Sequence, residues 1–452
     1  MTTTQRRVPP DFLWGVATSA YQVEGYPLAD GAGPNIWHRF SRLPGRTIDA
    51  ATGDIACDHY HRYREDVALM DQLGIGAYRF SIAWGRILPE GRRTINPKGI
   101  GFYDRLLDEI LSYNIVPMVT LYHWDLPLAL EDRGGWLNDS IAGWFGDYAD
   151  LIFRTFGDRV PYWVTINEPA VVTEKGYVLG VYAPGHRNPA EAPAVARNLL
   201  RAHGMAVQAC RADTKGKVGI ALNLQPKHPA SDHPDDIAAM RRADAFRNRQ
   251  FIEPILKGRS PEELPEMFGD SWRPLTTEDL ALIHRPIDFM GVNYYTRAIV
   301  KNDPSSIPTR AEPVEANGRQ HTLMGWEVYP EGMAEALLWI KNNYGDIPIF
   351  VTENGVAFDD PEPNEDDIVE DPARIEFLRA HLRSAMRARA AGVDLRGYFL
   401  WSLLDNFEWS SGYVRPFGIV HVDFRTQRRT LKSSAKFYTD VIRSGGAGLL
   451  EG

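Results

Sequence analysis

Two glutamates stand where a carboxylate is costly unless it has a partner or a task. Glu168 lies in Thr165-Ile166-Asn167-Glu168-Pro169 and Glu353 in Val351-Thr352-Glu353-Asn354-Gly355, each just after a short apolar run. An unpaired carboxylate leaving such a run loses hydration without compensation. A nearby arginine would explain either one alone. Two carboxylates directed into one pocket are the minimum equipment for glycoside hydrolysis. Other apolar runs are also followed by polar and aromatic side chains. These are Tyr21-Gln22, Arg79 with Trp84, His123-Trp124-Asp125, Asn223, Asn293-Tyr294-Tyr295 and Trp401. Flat aromatic faces beside hydrogen-bonding groups suit sugar rings, with their C–H faces and hydroxyl rims, although aromatics also fill cores.

The elements that must carry these residues are short and regular. Apolar runs occupy Phe12–Ala17, Ala77–Ile82, Val116–Leu121, Tyr162–Ile166, Val218–Leu222, Phe289–Val292, Ile347–Val351 and Gly397–Leu400. Each has the length and continuity of a strand buried on both faces. Helical patterns lie between them, at Asp58–Leu73, Ile141–Phe156, Ala192–Ala212, Ala243–Leu256, Gly332–Asn343 and Ser433–Ile442. Asn96-Pro97 opens another helix. Asp371-Pro372 opens one whose Ile375, Leu378, Leu382 and Met386 share a face, with Asp371 expected as N-cap. Strand and helix alternating eight times predict an α/β fold, a (β/α)8 barrel with long rim loops, whose active sites form at the C-terminal ends of the strands. The competing open, doubly wound sheet would usually carry a glycine-rich phosphate loop after its first strand. Ala17-Thr18-Ser19-Ala20-Tyr21-Gln22 has none.

At 452 residues the chain could hold three average domains, but one barrel with long loops absorbs the length, and no linker or short repeat divides it. Residues 1–452 are therefore expected to form one catalytic domain. A 44% hydrophobic, 24% charged composition excludes a disordered chain. The net charge of −9 argues against nucleic acid as partner, since such binders need a basic footprint. Cys57 and Cys210 are too few for a disulfide framework and fit a reducing compartment. Arg6-Arg7 has no apolar run behind it, so a secretory signal is not expected, and no stretch is long and apolar enough for a membrane span. The expected location is cytoplasmic.

Nearly end to end, from Phe12-Leu13-Trp14-Gly15 to Phe417-Gly418-Ile419-Val420, the chain resembles glycoside hydrolase family one, the β-glucosidase family. The segments that carry the likeness are TINEP at 165–169, VTENG at 351–355, SAYQVEG at 19–25, YRFSIAW at 78–84, YHWDLP at 122–127, NYYT at 293–296 and LWSLLDNFEW at 400–409. The resemblance implies retaining hydrolysis of terminal β-D-glucosyl residues, with Glu168 as acid/base and Glu353 as nucleophile. It implies Arg79 and Tyr295 as supports of that nucleophile, Asn167 as partner of the sugar 2-hydroxyl, and Asn293 in the same pocket. It also implies Gln22, His123, Glu408 and Trp409 as hydroxyl binders with Trp124 close by, Trp401 as platform under the ring, and Trp326 at the aglycone entrance. Small β-glucosides or oligosaccharides, including those from cellulose, are the implied substrates. No cofactor or metal is implied, and oligomeric state is left open.

Retention by double displacement asks for carboxylates about 5–5.5 Å apart. Glu353 must be ionised to attack, which the Arg79 cation favours. Glu168 must first donate a proton and later accept one, and loss of the Glu353 charge in the glycosyl ester permits that switch. The phosphate-specific branch of the family typically replaces Glu408 with Ser and adds a Lys and a Tyr in the next loop. In Ser410–Phe417 no Lys occurs and Phe417 takes the place of the Tyr, leaving Phe417 as a pocket residue. Arg415 reads as a salt-bridge partner of Glu408 or a solvated cation. Departures from the family pattern are Gly85, where Pro is usual, Asn35 and His38 in the first loop, and Tyr182, where many members have His. They bear on the aglycone.

Other features read more plainly. His59 and His61 are too close on a helix to share a face, so surface or core positions are expected rather than a metal site. Asp359–Asp371, with eight acidic residues in thirteen, lacks the pattern of a calcium loop and reads as solvated. Segment 301–322 has no clear period and reads as a rim loop or mobile surface, and Arg425, Arg428 and Arg429 as a solvated turn. Trp144, Trp163 and Trp339 read as packing residues. A phosphoglycosidase, broader action on galactosides or fucosides, a transglycosylase and a non-catalytic sugar-binding protein are the competing functions. The last should lack Glu168 or Glu353.

Overall fold

Burial on both faces turns eight apolar runs into a closed barrel. In this computed structural model, which describes residues 8–449, the strands are β1 (Leu13–Ala17), β2 (Ala77–Ser81), β3 (Val116–Tyr122), β4 (Tyr162–Asn167), β5 (Lys217–Asn223), β6 (Phe289–Asn293), β7 (Ile349–Asn354) and β8 (Leu395–Trp401). Each pairs in parallel with its neighbours in chain order, and β8 closes on β1 through Leu13↔Gly397 to Ala17↔Trp401. Ala17, Ala77, Met118, Val164, Ala221, Phe289, Phe350 and Phe399 fill the interior, small residues against large rings. Val16, Tyr78, Val119, Trp163, Val218, Met290, Val351 and Tyr398 face outward into the layer beneath the helices. The barrel interior is thus a packed core, and only its mouth is open. Arg6-Arg7 lies outside the described residues. Among the described residues no helix is long and apolar enough to cross a membrane.

Helix boundaries follow local chemistry with two differences. Pro97–Ser112 is capped as expected, the Asn96 side chain accepting from Lys98 N at 3.2 Å. Asp371 precedes Pro372–Ala390 but makes no capping bond. Its carboxylate accepts from Ser434 N (2.7 Å) and Oγ (2.6 Å) and pairs with Arg374 at 2.5 Å. The expected helix Ala243–Leu256 is three pieces, the end of Pro234–Asp244, a π turn at Ala245–Arg249 and a helix at Gln250–Lys257.

Three polar segments differ from expectation because their partners are remote in sequence. Within the acidic run, Asp360 and Asp371 are buried ion-pair members, not solvated. Lys432, whose side chain is fully buried, reaches Asp360 at 2.6 Å and Asp405 at 2.7 Å. Arg374 bonds Asp360, Asp371 and the Pro416 carbonyl. Arg429 leaves the expected turn to clamp the buried Asp66, which also pairs with His59 at 2.8 Å. His59 is therefore a core histidine. Segment 301–322 contains Ala311–Val314, antiparallel to Ala298–Asn302, which in turn pairs with Lys227–Pro229. This small sheet forms one lip of the barrel mouth.

The Lys432 network holds the rim segment that follows β8. Asp405 Oδ1 also accepts from Gly418 N at 2.9 Å, tying the two ends of the 405–418 loop together. Burial alone would raise the Asp405 carboxyl, but Lys432, His421 and Arg374 hold it below its usual range. Lys432→Met removes the buried cation shared by two buried carboxylates. It is expected to cost about 3–5 kcal/mol of stability in urea unfolding. A loss under about 1 kcal/mol would show that the pair is not a structural tie.

Candidate active site

Glu353 and Asn167, the residue before Glu168, reach the barrel mouth because their strands break regular alternation. In β7, Phe350 points inward and Val351 outward, so strict alternation would aim Glu353 away from the mouth. The pairing with β6 runs Val351↔Val292 and then Glu353↔Asn293, an extra residue in β7. In β4, Val164 points inward and Thr165 outward to His203. Val164↔Gly219 is followed by Asn167↔Ala221, again with an extra residue. Such bulges re-aim side chains next to active sites. Glu168 itself has φ +47°, and the rim residues Trp124 (φ +77°) and Trp409 (φ +54°) are also left-handed. Non-glycine residues in this region are strained, and surrounding structure must hold them. Gly355 completes the geometry, since a Cβ there would lie 1.6 Å from the Trp401 carbonyl oxygen. The segment that carries Glu353 can cross beneath Trp401 only because this residue is glycine.

One hydrogen-bond network joins both carboxylates. Arg79 donates through Nη1 to Glu353 Oε1 at 2.6 Å and through Nη2 to Asn167 Oδ1 at 2.7 Å. Its Nε donates to Thr120 at 3.2 Å. Tyr295 donates to Glu353 Oε2 at 2.6 Å, so each oxygen of Glu353 has a donor. Asn293 Nδ2 donates to Glu168 Oε1 at 2.7 Å and to Asn167 Oδ1 at 3.0 Å, while Thr352 donates to Asn293 Oδ1 at 2.6 Å. Asn223 adds a second donor to Glu168 Oε1 at 3.0 Å. Because Asn167 Oδ1 accepts twice, its Nδ2 must be the donor to His123 Nε2, at 3.0 Å.

The electrostatics separate the two carboxyls by their partners. Burial is the largest influence on Glu353 and pushes its carboxyl up. The Arg79 cation opposes this, Glu168 across the pocket adds to the rise, and the Tyr295 and Arg79 hydrogen bonds lower it. A cation and a phenol favour charge on Glu353, whereas Glu168 has only neutral amide donors. Burial and then Arg79 hold His123 well below its usual range, so its ring is neutral. Its Nδ1 then carries the proton and has no partner among the described protein groups.

Aromatic rings and carboxylates enclose a cavity of about 620 Å³ above this network. His123, Trp124, Glu168, Tyr295, Trp326, Glu353, Trp401, Glu408, Trp409 and Phe417 all line it. Trp124 and Trp409 lie 4.7 Å apart between ring centres, and His123 stacks near Trp401 at 5.7 Å. Trp326 packs between Tyr295 (5.2 Å) and Phe417 (6.3 Å). Gln22, Arg79, Asn167 and Asn293 are fully buried and stand behind the wall. Gln22 donates through Nε2 to Asn406 Oδ1, the Phe407 carbonyl and Glu408 Oε2, at 3.1, 3.0 and 3.3 Å. Burial pushes Glu408 up to about 8, opposed chiefly by Lys175.

Lys175 is the functional neighbour that the sequence did not suggest. It lies on the π turn Val172–Val178 just beyond Glu168 and bonds the Tyr182 hydroxyl at 3.2 Å. Nothing in its local sequence distinguishes it from a surface lysine. Tyr182 itself packs among Trp37, Trp124 and Trp409. Arg415 contacts the Val414 carbonyl and forms no ion pair with Glu408. Asn223, visible in the sequence as a rim residue, gains a specific task as a donor to Glu168.

Known proteins are similar to this one over nearly the whole chain. The family model described as glycosyl hydrolase family 1 matches residues 4–447. Beta-glucosidase A of Thermotoga maritima is 47% identical over 443 residues, covering 98% of this chain and 99% of that protein. A 1,4-beta-D-glucan glucohydrolase of Thermotoga neapolitana is 48% identical, with coverage of 98% and 99%. A solved family 1 β-glucosidase from Thermotoga maritima superposes with a TM-score of 0.95 at 47% identity, covering 98% of this chain and 99% of that one. The same enzyme solved with isofagomine lactam gives 0.94 at 47% identity, with coverage of 97% and 99%.

Proposed function

The chain belongs to glycosyl hydrolase family 1, and on that footing we propose that Glu353 is its nucleophile and Glu168 its acid/base. The protein is a retaining β-glucosidase acting on terminal non-reducing β-D-glucosyl residues. The observation that carries the assignment of roles is the unequal set of donors. Arg79 and Tyr295 keep Glu353 charged for attack on the anomeric carbon. Glu168, held by Asn293 and Asn223 through one oxygen, keeps Oε2 for the leaving oxygen and later for water. The glycosyl ester formed on Glu353 removes the charge facing Glu168, which then accepts the proton of the incoming water.

The glycone site follows from the same wall. Trp401 forms the platform under the ring, and the Nδ1–H of His123 and the carboxylate of Glu408 face its hydroxyls. Gln22, engaged with Asn406, Phe407 and Glu408, acts by orienting Glu408 as well as by any direct contact. Trp124 and Trp409 close the side wall, and Trp326 and Phe417 guide the aglycone. The whole chain, 1–452, works as one catalytic unit. Two buried free thiols suit a reducing, cytoplasmic setting, and cello-oligosaccharides from cellulose degradation suit the cavity. Hydrolysis of 4-nitrophenyl β-glucoside followed by proton NMR tests this reading. The β-anomer of glucose should form first. First appearance of the α-anomer would refute it.

The glycone wall also predicts charge selectivity. Glu408 lines the ring with no ion-pair partner among the described residues, and Phe417 offers no donor. A 6-phosphate would meet this carboxyl group where it needs a cation. Neutral 4-nitrophenyl β-glucoside is expected to exceed its 6-phosphate in kcat/KM by at least about tenfold, roughly 1.4 kcal/mol. A higher value for the phosphorylated substrate would overturn the role given to Glu408.

A further inference from the structure

Beyond Glu168 the cavity mouth carries a lysine, Lys227, that reaction at the glucosyl ring does not use. After β5 the chain remains extended, so alternate side chains share a face. Asn223, Gln225 and Lys227 accordingly all line the cavity. Asn223 donates to Glu168, and Lys227 follows at about 13 Å along an extended chain. That places the Lys227 ammonium on the leaving-group side of the acid/base, half-buried in the wall.

Lys227 lacks a matched anion. Its Nζ donates to Gln225 Oε1 at 2.5 Å, and among the described residues no carboxylate forms an ion pair with it. Asp244 is occupied by Arg249 at 2.8 Å and by Asn248 at 2.8 Å. Arg247, which also lines the cavity, holds Glu174 at 2.5 Å. Arg247 thus has a carboxylate partner, and among the described residues Lys227 has none. On the same lip Glu327 is held by Arg297 at 2.9 Å, and Glu315 is exposed to solvent. Burial, reinforced by Arg247, pushes the Lys227 ammonium down to about 8, as expected for a cation whose hydration is lost and not replaced.

We propose that Lys227, with Arg247 beside it, forms a binding site for an anionic group on the aglycone, so that β-glucosides carrying a carboxylate on the leaving group are preferred substrates. The proposal rests on the β-glucosidase reading and extends it. It sets opposite rules at the two ends of the cavity, since negative charge is rejected on the glycone and welcomed on the aglycone.

The test compares 4-(carboxymethyl)phenyl β-glucoside with its methyl ester, two substrates whose phenols leave with similar ease. Glucose release by the wild type should give kcat/KM for the acid at least about tenfold above the ester, the scale of one charge-assisted hydrogen bond. That ratio should shrink as sodium chloride is raised. Lys227→Gln should bring it close to one by lowering the value for the acid, and Lys227→Arg should retain most of it. A wild-type ratio at or below one, or a ratio that Lys227→Gln leaves unchanged, would overturn the proposal while leaving the β-glucosidase reading intact. Failure to hydrolyse the ester, the acid and 4-nitrophenyl β-glucoside alike would instead defeat that reading, and the proposal with it.

Discussion

Glu353→Gly is expected to lower kcat on aryl glucosides by at least about 10⁴-fold, equivalent to roughly 5.4 kcal/mol of transition-state stabilisation. Glu353 accepts from Arg79 at 2.6 Å and Tyr295 at 2.6 Å, donors that favour its charged form and fix its position. Glycine removes the attacking oxygens and leaves space lined by those same two donors. Azide or formate can occupy that space, held by Arg79, and attack the anomeric carbon from the face Glu353 would have used. With only one displacement the product is the α-glucosyl azide or formate, inverted at C1. Glu168 is untouched by the change. Rate recovery with azide, together with an α-configured product, is the expected pair of results. Near-wild-type turnover with retention in this variant would remove Glu353 from the mechanism.

Glu168→Gln should separate substrates by their leaving groups. Cellobiose leaves as an alkoxide and needs a proton, so its kcat/KM should fall by about 10²–10⁴-fold, the usual contribution of a general acid. A 2,4-dinitrophenyl glucoside leaves as a stable phenolate and should lose less than about tenfold in the same quantity. The wild-type pH profile should be bell-shaped. Activity falls at low pH as Glu353 is protonated and at high pH as Glu168 loses its proton. Because burial raises Glu353, the acidic limb should lie above the pH at which a free glutamate ionises. The variant should lose the basic limb. Equal losses on both substrates with the basic limb intact would reduce Glu168 to a structural residue.

The barrel strands were legible because two-sided burial writes a continuous apolar run into the chain. The expected Val116–Leu121 and Phe289–Val292 end one residue short of β3 and β6. The rim was legible for a related reason, since polar residues such as Asn167 and Asn293 follow immediately on those runs. The bulges that turn Glu353 and Asn167 into the mouth were not, because an extra residue in a strand is defined only against its neighbour. Ala311–Val314 escaped notice because it is short, contains Pro313 and has two exposed residues at its end. Arg429 looked like a solvated cation because its carboxylate, Asp66, lies 363 residues away, and the tie from Lys432 to Asp360 spans 72 residues. Lys175 and Lys227 reach the cavity through a π turn and an extended strand edge, and neither placement leaves a periodic signature.

The central claim is a covalent glucosyl ester on Glu353. Incubation with 2,4-dinitrophenyl 2-deoxy-2-fluoro-β-glucoside tests it directly. The fluorine slows both displacements, and the reactive leaving group spares the first, so the intermediate accumulates. Peptide mass spectrometry should then show one fluoroglucosyl adduct, on the peptide containing Val351-Thr352-Glu353-Asn354-Gly355, fragmenting at Glu353. Loss of activity without an adduct, or an adduct on Glu168 or Glu408, would contradict the account.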